Sequence, residues 1–187
     1  YIWWQGIPLA VVGQRVLYAL DSFPLVAVPV FILVGNLMNA AGITEKLFRF
    51  ADVLVGRLHG GLAQVNIVAS LIFSGVSGAA LADVGGLGRI EIKAMKDRGF
   101  KLPFAAAVTG ASAIVGPIFP PSIPLIIYAS VTSVSELQHL VAGIVPALVC
   151  VAMLMGATAI IAMRFDLPRS ERWPRPRDLW AAFWPAF

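Results

Sequence analysis

Two runs of helix-breaking residues, each set inside apolar sequence, constrain this chain more than anything else in it. They are Ser74-Gly75-Val76-Ser77-Gly78-Ala79 and Gly116-Pro117-Ile118-Phe119-Pro120-Pro121-Ser122. Proline removes a backbone N–H and clashes with the preceding turn, and glycine loosens a helix. Hydrocarbon cannot satisfy the carbonyls so released. Non-helical backbone at membrane depth therefore survives only where it is buried in protein or lines a polar cavity.

Whether these runs lie at membrane depth is decided by their surroundings. Hydrophobic residues make up 59% of the 187 positions, charged residues 13%, and the mean hydropathy is +0.85. These values lie far from those of a soluble globular domain. No Asp, Glu, Lys or Arg occurs between Ser22 and Thr44, Gly60 and Ala82, Leu102 and Ser135, or Leu137 and Met163. A spanning helix needs about 20 apolar residues, so each window can hold one span or two shorter pieces meeting inside. The expected class is an all-α, multi-pass membrane protein. Paired breaks in such a chain build midplane sites for an anion and its coupling cation, which makes transport the first functional expectation.

The single cysteine, Cys150, excludes an internal disulfide and sits in the last apolar window, where packing is its expected role. The chain opens at Tyr1 with no basic-then-apolar signal peptide. It closes at Trp184-Pro185-Ala186-Phe187, in what reads as the run-in to another helix, so a fragment of a longer protein is expected.

The net charge is +4, but placement matters more than the total. Of 14 Lys and Arg, three lie between Lys46 and Arg57, five between Arg89 and Lys101, and five between Arg164 and Arg177. Basic excess marks cytoplasmic loops, so these segments are expected on the cytoplasmic side and 133–138 outside. That topology explains the basic tail more economically than nucleic-acid binding does.

Periodicity divides the chain into 1–21, an interfacial or truncated helix; 22–59, a span plus an amphipathic arm; 60–134, a transport unit; 135–163, a second span; and 164–187, a basic linker leading to the next helix. In the first piece Leu9, Val12, Val16, Leu17 and Leu20 recur at helical spacing. Asp21-Ser22-Phe23-Pro24 reads as a helix start, followed by a span to Ala41 that Pro29 can kink. Thr44-Glu45 is expected to cap an amphipathic helix to Arg57 lying in the interface plane, ended by His59-Gly60-Gly61. Leu62 to Phe73 and Ala79 to about Gly88 flank the first break. Each arm covers only about 15–20 Å of a hydrocarbon core roughly 30 Å thick, which fits a re-entrant hairpin with its tip near the midplane better than the alternative of two full spans. Pro103 to Val115 and Ser122 to Ala129 form a discontinuous helix around the second break. Ser135-Glu136-Leu137-Gln138 has capping-box spacing ahead of the last span.

In this order the pieces resemble the large membrane subunit of the tripartite ATP-independent periplasmic (TRAP) transporters, the DctM-like family. The residues that carry the likeness are Asp21-Ser22-Phe23-Pro24-Leu25 with Phe31 to Met38, the Gly75–Asp83 segment and Gly116-Pro117-Ile118-Phe119-Pro120-Pro121-Ser122-Ile123. Lys96-Asp97-Arg98-Gly99-Phe100 and Ala142-Gly143-Ile144-Val145-Pro146 add to it. The resemblance covers nearly the whole chain from about Pro8. It implies the first half of an inverted-repeat, elevator-type importer in a bacterial inner membrane. Such an importer is sodium-driven, takes organic acids such as C4-dicarboxylates from a periplasmic binding protein, works with a small membrane subunit and needs no cofactor beyond the coupling ion. Where the family commonly has Ser-Gly-Ser-Ala, this chain has Ser77-Gly78-Ala79-Ala80, without a hydroxyl at 79.

The expected cation ligands are Ser77, Gly78, Ser112, Val115, Gly116 and Pro117, because hydroxyls and unwound carbonyls suit a hard cation. Ser77, Asp83, Pro120, Pro121 and Ser122 are expected to face the substrate. Against these stand plainer roles. Ser77 can serve close small-residue packing, and Asp83 can be a helix-end acid paired with Arg89 or Lys93. Thr109 and Ser112 can bond back to their own helix, and Asn66 reads as glue between helices. Proline leaves the carbonyls of Ala113, Gly116, Pro117 and Pro120 without helical donors, so the hairpin tip and the second break are expected to meet around a cation. Another ion-coupled carboxylate transporter of similar architecture fits the same residues. An enzyme reading, a rhomboid-like serine protease on Gly75-Val76-Ser77-Gly78 with His139 as base, leaves the proline-rich break unexplained, so no catalytic residue is expected. No Cys/His spacing suits a transition metal.

Overall fold

The computed structural model describes residues 8–20, 23–132, 134–165 and 167–168. The expected cap at Asp21-Ser22 and nearly all of the basic linker lie outside these. The regular elements among the described residues are all helical: α1 (Leu9–Leu20), α2 (Phe23–Ala40), α3 (Ile43–Val55), α4 (Leu62–Ser77), α5 (Ala80–Asp97), α6 (Leu102–Ser112), a 3₁₀ turn (Ala113–Val115), α7 (Ile123–Thr132) and α8 (Glu136–Phe165).

Helix α4 is the centre of the bundle. Its buried residues include Leu62–Ile67, Ala69, Ser70, Phe73, Ser74 and Ser77, and α2, α3, α5, α6 and α8 all pack on it. Because lipid tails are as apolar as leucine, membrane helices associate through close packing and interhelical hydrogen bonds. Ala51, Ala63, Ala69, Ala105, Ala129 and Ala147 are all fully buried, and their short side chains bring the backbones together. Large apolar side chains instead cover the outside. Leu25, Ile32 and Leu37 of α2 and Val145, Met153 and Phe165 of α8 are exposed.

Helix α8, at 30 residues, is long and apolar enough to cross a membrane. The bent pair α2–α3 turns by 77° between Ala40 and Ile43, where Gly42 adopts φ 71°. Gly42, not Thr44, occupies the cap of α3. Thr44 lies inside the helix with its hydroxyl buried and without a partner, so the expected Thr44-Glu45 cap is corrected to a glycine turn. The apolar face of α3, Leu47, Phe48 and Ala51, is buried, and α3 packs on α4 and α5.

The hairpin arms are longer than the sequence suggested. Helix α4 runs on through Gly75 to Ser77, and α5 continues through Gly85, Gly86 and Gly88 to Asp97. Two of these glycines admit close neighbours: Asn39 lies beside Gly86, and Thr109 beside Gly88. At the first turn of α8 the Ser135–Gln138 spacing holds as expected, with the Gln138 N–H 3.5 Å from the Ser135 hydroxyl.

Contacts gather the described parts of the basic segments at one end of the bundle. Arg98, closing α5, pairs with Asp52 of α3 at 3.4 Å. Gly60, just before α4, lies against Thr158 and Ala162 of α8, next to Arg164. The Gln64 amide donates to the carbonyls of His59 (3.1 Å) and Met155 (3.0 Å), fastening the start of α4 to α8. Both feet of the α4–α5 hairpin thus share one end. At 1.5 Å per residue its arm rises about 24 Å beside an α8 of about 45 Å, so the tip stops part-way along the bundle. In this pair Arg98 is exposed and Asp52 half-buried, and a single contact of this kind near the surface contributes at most about 1 kcal/mol. Arg98→Ala is therefore expected to leave the melting temperature of the full-length protein nearly unchanged.

Candidate functional site

The tip of the hairpin and the second break touch. Gly78 closes α4 in the left-handed conformation, φ 61°, and its carbonyl accepts the N–H of Ile123 at 3.3 Å. A side chain at Gly78 would run into the carbonyl of Pro121. From the other direction Gly116 sits against the backbone of Ala79 and Ala80, with 3.2 Å from an added Cβ to the Ala80 nitrogen. The Phe119 ring lies over Gly75, and Gly35 of α2 rests on Ser77. Two non-helical segments from distant parts of the sequence therefore form one junction.

Proline chemistry explains how the break is built. Of the four carbonyls expected to lose helical donors, two find new ones. The Ala113 carbonyl takes the Gly116 N–H at 3.1 Å in the 3₁₀ turn. The Pro117 carbonyl takes the Ser122 hydroxyl at 2.5 Å. The same Ser122 oxygen accepts the Leu125 N–H at 3.2 Å, so Ser122 caps α7 while holding the break together. Among the described residues the carbonyls of Gly116 and Pro120 accept no hydrogen bond. Beside this junction the Ser77 hydroxyl is buried and also without a partner.

Ser122 is fully buried and its hydroxyl is used twice, so its observed role is local support, not an open surface for substrate. Removing a capping hydroxyl costs about 1 kcal/mol, and the Pro117 carbonyl would also lose its donor. Ser122→Ala is expected to lower the stability of the full-length protein by about 1–3 kcal/mol, read as a fall in melting temperature.

Ser112 lies one turn before the break in a buried polar network. Its oxygen is 2.7 Å from Asn66 Oδ1 and 3.0 Å from both the Thr109 carbonyl and the Ser70 hydroxyl. The Asn66 amide nitrogen donates to Thr109 Oγ1 at 2.6 Å. Asn66 thus ties α4 to α6, as its sequence context suggested. Ser112 is engaged with Asn66 and Ser70, which makes it a support for the junction. Val115 and Gly116 are buried at the junction, while Pro117, Pro120 and Pro121 are half-buried.

Asp83 is only 2% exposed. It faces Ser70 inside the bundle, and Arg89 and Lys93, the partners weighed for it, are both exposed. One functional candidate escaped the sequence reading altogether. Glu91, in the basic run, is fully buried. Its spacing from Asp83 and Leu87 along α5 puts it on the inward face, and that periodicity was the available signal.

The protease reading finds no support in this arrangement. A nucleophilic serine needs a base within hydrogen-bond reach. The Ser77 hydroxyl has no such partner, and His139 instead stacks on Tyr128 with ring centroids 5.1 Å apart.

Residues 1–187 match the family described as Tripartite ATP-independent periplasmic transporter, DctM component. The chain belongs to the DctM family. DctM proteins are transporter components and not enzymes. This DctM chain is 47% identical over 174 residues to the sialic acid TRAP transporter large permease protein SiaM of Vibrio cholerae, covering 91% of the chain and 41% of that protein. It is 48% identical over 159 residues to the sialic acid TRAP transporter permease protein SiaT of Haemophilus influenzae, covering 85% and 26%. To the C4-dicarboxylate TRAP transporter large permease protein DctM of Rhodobacter capsulatus it is 33% identical over 191 residues, covering 95% and 43%. The DctM chain thus spans less than half the length of these relatives.

Proposed function

We propose that this DctM segment is one half of the membrane subunit of a sodium-coupled importer of organic acids, and that the junction of hairpin tip and break is its coupling-cation site. The observation that carries the reading is the set of unsatisfied oxygens at that junction: the carbonyls of Gly116 and Pro120 and the Ser77 hydroxyl. An unpaired buried carbonyl costs several kcal/mol. A hard monocation relieves that cost with oxygen ligands. Ser77 and the Gly116 carbonyl are the proposed ligands, with Gly78, Val115 and Pro117 forming the wall and Ser112 holding α4 against α6. Pro120 and Pro121, half-buried next to the hairpin tip, are the proposed substrate-facing residues.

The substrate class is a carboxylic acid. Relatives at 47% and 48% identity are named for sialic acid, a sugar acid, which makes it the first candidate ahead of C4-dicarboxylates. Delivery by a periplasmic binding protein and assembly with a small membrane subunit follow from the family. The basic end of the bundle is assigned to the cytoplasm of a bacterial inner membrane. A second half of inverted topology would complete an elevator-type unit.

The test is uptake by the full-length protein reconstituted with its small subunit and binding protein. Labelled sialic acid is expected to accumulate when sodium is outside and not when choline replaces it. Uptake of a C4-dicarboxylate alone would move the substrate assignment. Accumulation indifferent to sodium would remove sodium as the coupling ion.

A further inference from the structure

A second feature lies deeper in the hairpin, away from the tip. Asp83 and Glu91 both project from α5 into the bundle, with exposures of 2% and 0%. None of their four carboxylate oxygens has a hydrogen-bond partner among the described residues. Each nonetheless has a hydroxyl beside it, Ser70 next to Asp83 and Thr109 next to Glu91. The recorded bonds of those hydroxyls go to Ser112 and Asn66 instead.

Among the described residues every Lys and Arg is exposed, so no basic side chain is buried beside the two acids. Helices α2, α4 and α6 and the 3₁₀ turn, all packed on α5, carry no charged residue. On α3, Glu45, Lys46 and Arg49 are exposed, and Asp52 is paired with Arg98. On α5 itself Arg89, Lys93, Lys96 and Asp97 are exposed. The polar groups beside the pair are therefore Ser70 from α4 and Thr109 from α6, both neutral. An isolated buried carboxylate costs several kcal/mol even after relaxation. Two of them in one bundle must be neutralised by something small enough to enter a fully buried space.

The spacing favours a proton over a metal ion. The two residues are eight apart on one helix, about 12 Å along its axis, and Leu87 is buried between them. Among the described residues no group of three or more acids, histidines or cysteines is arranged to hold a metal. Beside the two acids runs a line of neutral polar groups, Ser70, Ser112, Asn66 and Thr109, linked to one another at 3.0, 2.7 and 2.6 Å. That line suits carboxyl groups that donate hydrogen bonds.

We propose that Asp83 and Glu91 form a proton-binding site, in which a protonated carboxyl is held against the Ser70–Thr109 network while the hairpin arms are packed. The site is separate from the tip junction. It gives the hairpin a second monocation, so that loss of the proton and loosening of α5 from α4 and α6 occur together.

Infrared difference spectroscopy of the purified full-length protein in nanodiscs, in sodium-free buffer at neutral pH, reads this directly. The wild type is expected to show the C=O stretch of a protonated carboxyl. That band should weaken in Asp83→Asn and Glu91→Gln and vanish in the double variant. The amides copy the shape of a neutral carboxyl, so all three variants are expected to melt no lower than the wild type. A band absent from the wild type, or unchanged in the double variant, overturns the proposal. So does a sodium-induced rise in melting temperature that both amide variants lose without any carboxyl band, because that result would put a metal ion between the acids. Neither readout involves uptake, so failure here is distinct from failure of the transport reading.

Discussion

Replacing Gly78 by valine will disconnect the hairpin tip from the break and abolish coupled uptake by the full-length protein. Gly78 has φ 61°, a conformation that costs an L-residue about 1–2 kcal/mol. The larger penalty is steric. A Cβ at this position meets the carbonyl of Pro121, and the next nearest atoms are the Pro121 carbonyl carbon and the Ile123 nitrogen. These are backbone atoms of a segment fixed by prolines, so they cannot swing aside as a flexible side chain would. Valine adds two further methyl groups that fit no better, and overpacking of this kind costs about 1–3 kcal/mol by itself. The combined strain exceeds the hydrogen bond that the Gly78 carbonyl accepts from the Ile123 N–H, so the tip yields. Uptake per molecule is expected to fall by at least about tenfold, which corresponds to about 1.4 kcal/mol. Gly78→Ala meets the same carbonyl and should fall between valine and the wild type.

Gly143→Leu is expected to damage the same junction from behind. Gly143 is buried in α8 where the break passes, and a Cβ there would stand 2.5 Å from the Ile118 carbonyl oxygen and 2.9 Å from Leu125 Cδ1. Leu125 can change rotamer, but the carbonyl belongs to the break and has no such freedom. A leucine must therefore push α8 away from the Ile118 turn. We expect a loss of about 2–4 kcal/mol in stability, in line with large core-disrupting substitutions, visible as a lower melting temperature and lower membrane abundance. Gly156, also on α8, has open space where a Cβ would go. Gly156→Leu serves as the control and should behave as the wild type.

The architecture was legible because its causes are local. Proline and glycine mark both breaks, and the uncharged windows mark the depth at which a break must be protected. Ser135 announced the start of α8 through its spacing to Gln138. What the sequence could not show was how each released carbonyl would be satisfied. The four carbonyls behind Pro117, Pro120, Pro121 and Pro124 looked equivalent, yet Ser122 supplies Pro117 and a 3₁₀ turn supplies Ala113, because the chain folds back on itself there. Thr44 misled for a related reason: the sharp turn at Gly42 set the start of α3 earlier than a hydroxyl cap would. Ser112 was visible as a polar residue near the break. That its bonds run to Asn66 and Ser70, more than forty positions away, depends on α4 and α6 lying side by side. Glu91 was hidden by its company, since a carboxylate among Arg89, Lys93 and Lys96 reads as surface charge until the inward face of α5 is known.

The claim at the centre of this account is that the tip and the break together bind the coupling cation, and the sodium dependence of uptake tests it most directly. In the full-length transporter, reconstituted with its small subunit and binding protein, Ser77→Ala removes a proposed ligand while adding no bulk next to Gly35. The account predicts that half-maximal uptake will require at least about tenfold more sodium, the loss of one charge-assisted contact of about 1.4 kcal/mol. Membrane abundance and uptake at saturating sodium should stay close to the wild type. An unchanged sodium requirement in Ser77→Ala, at normal abundance, would contradict the assignment.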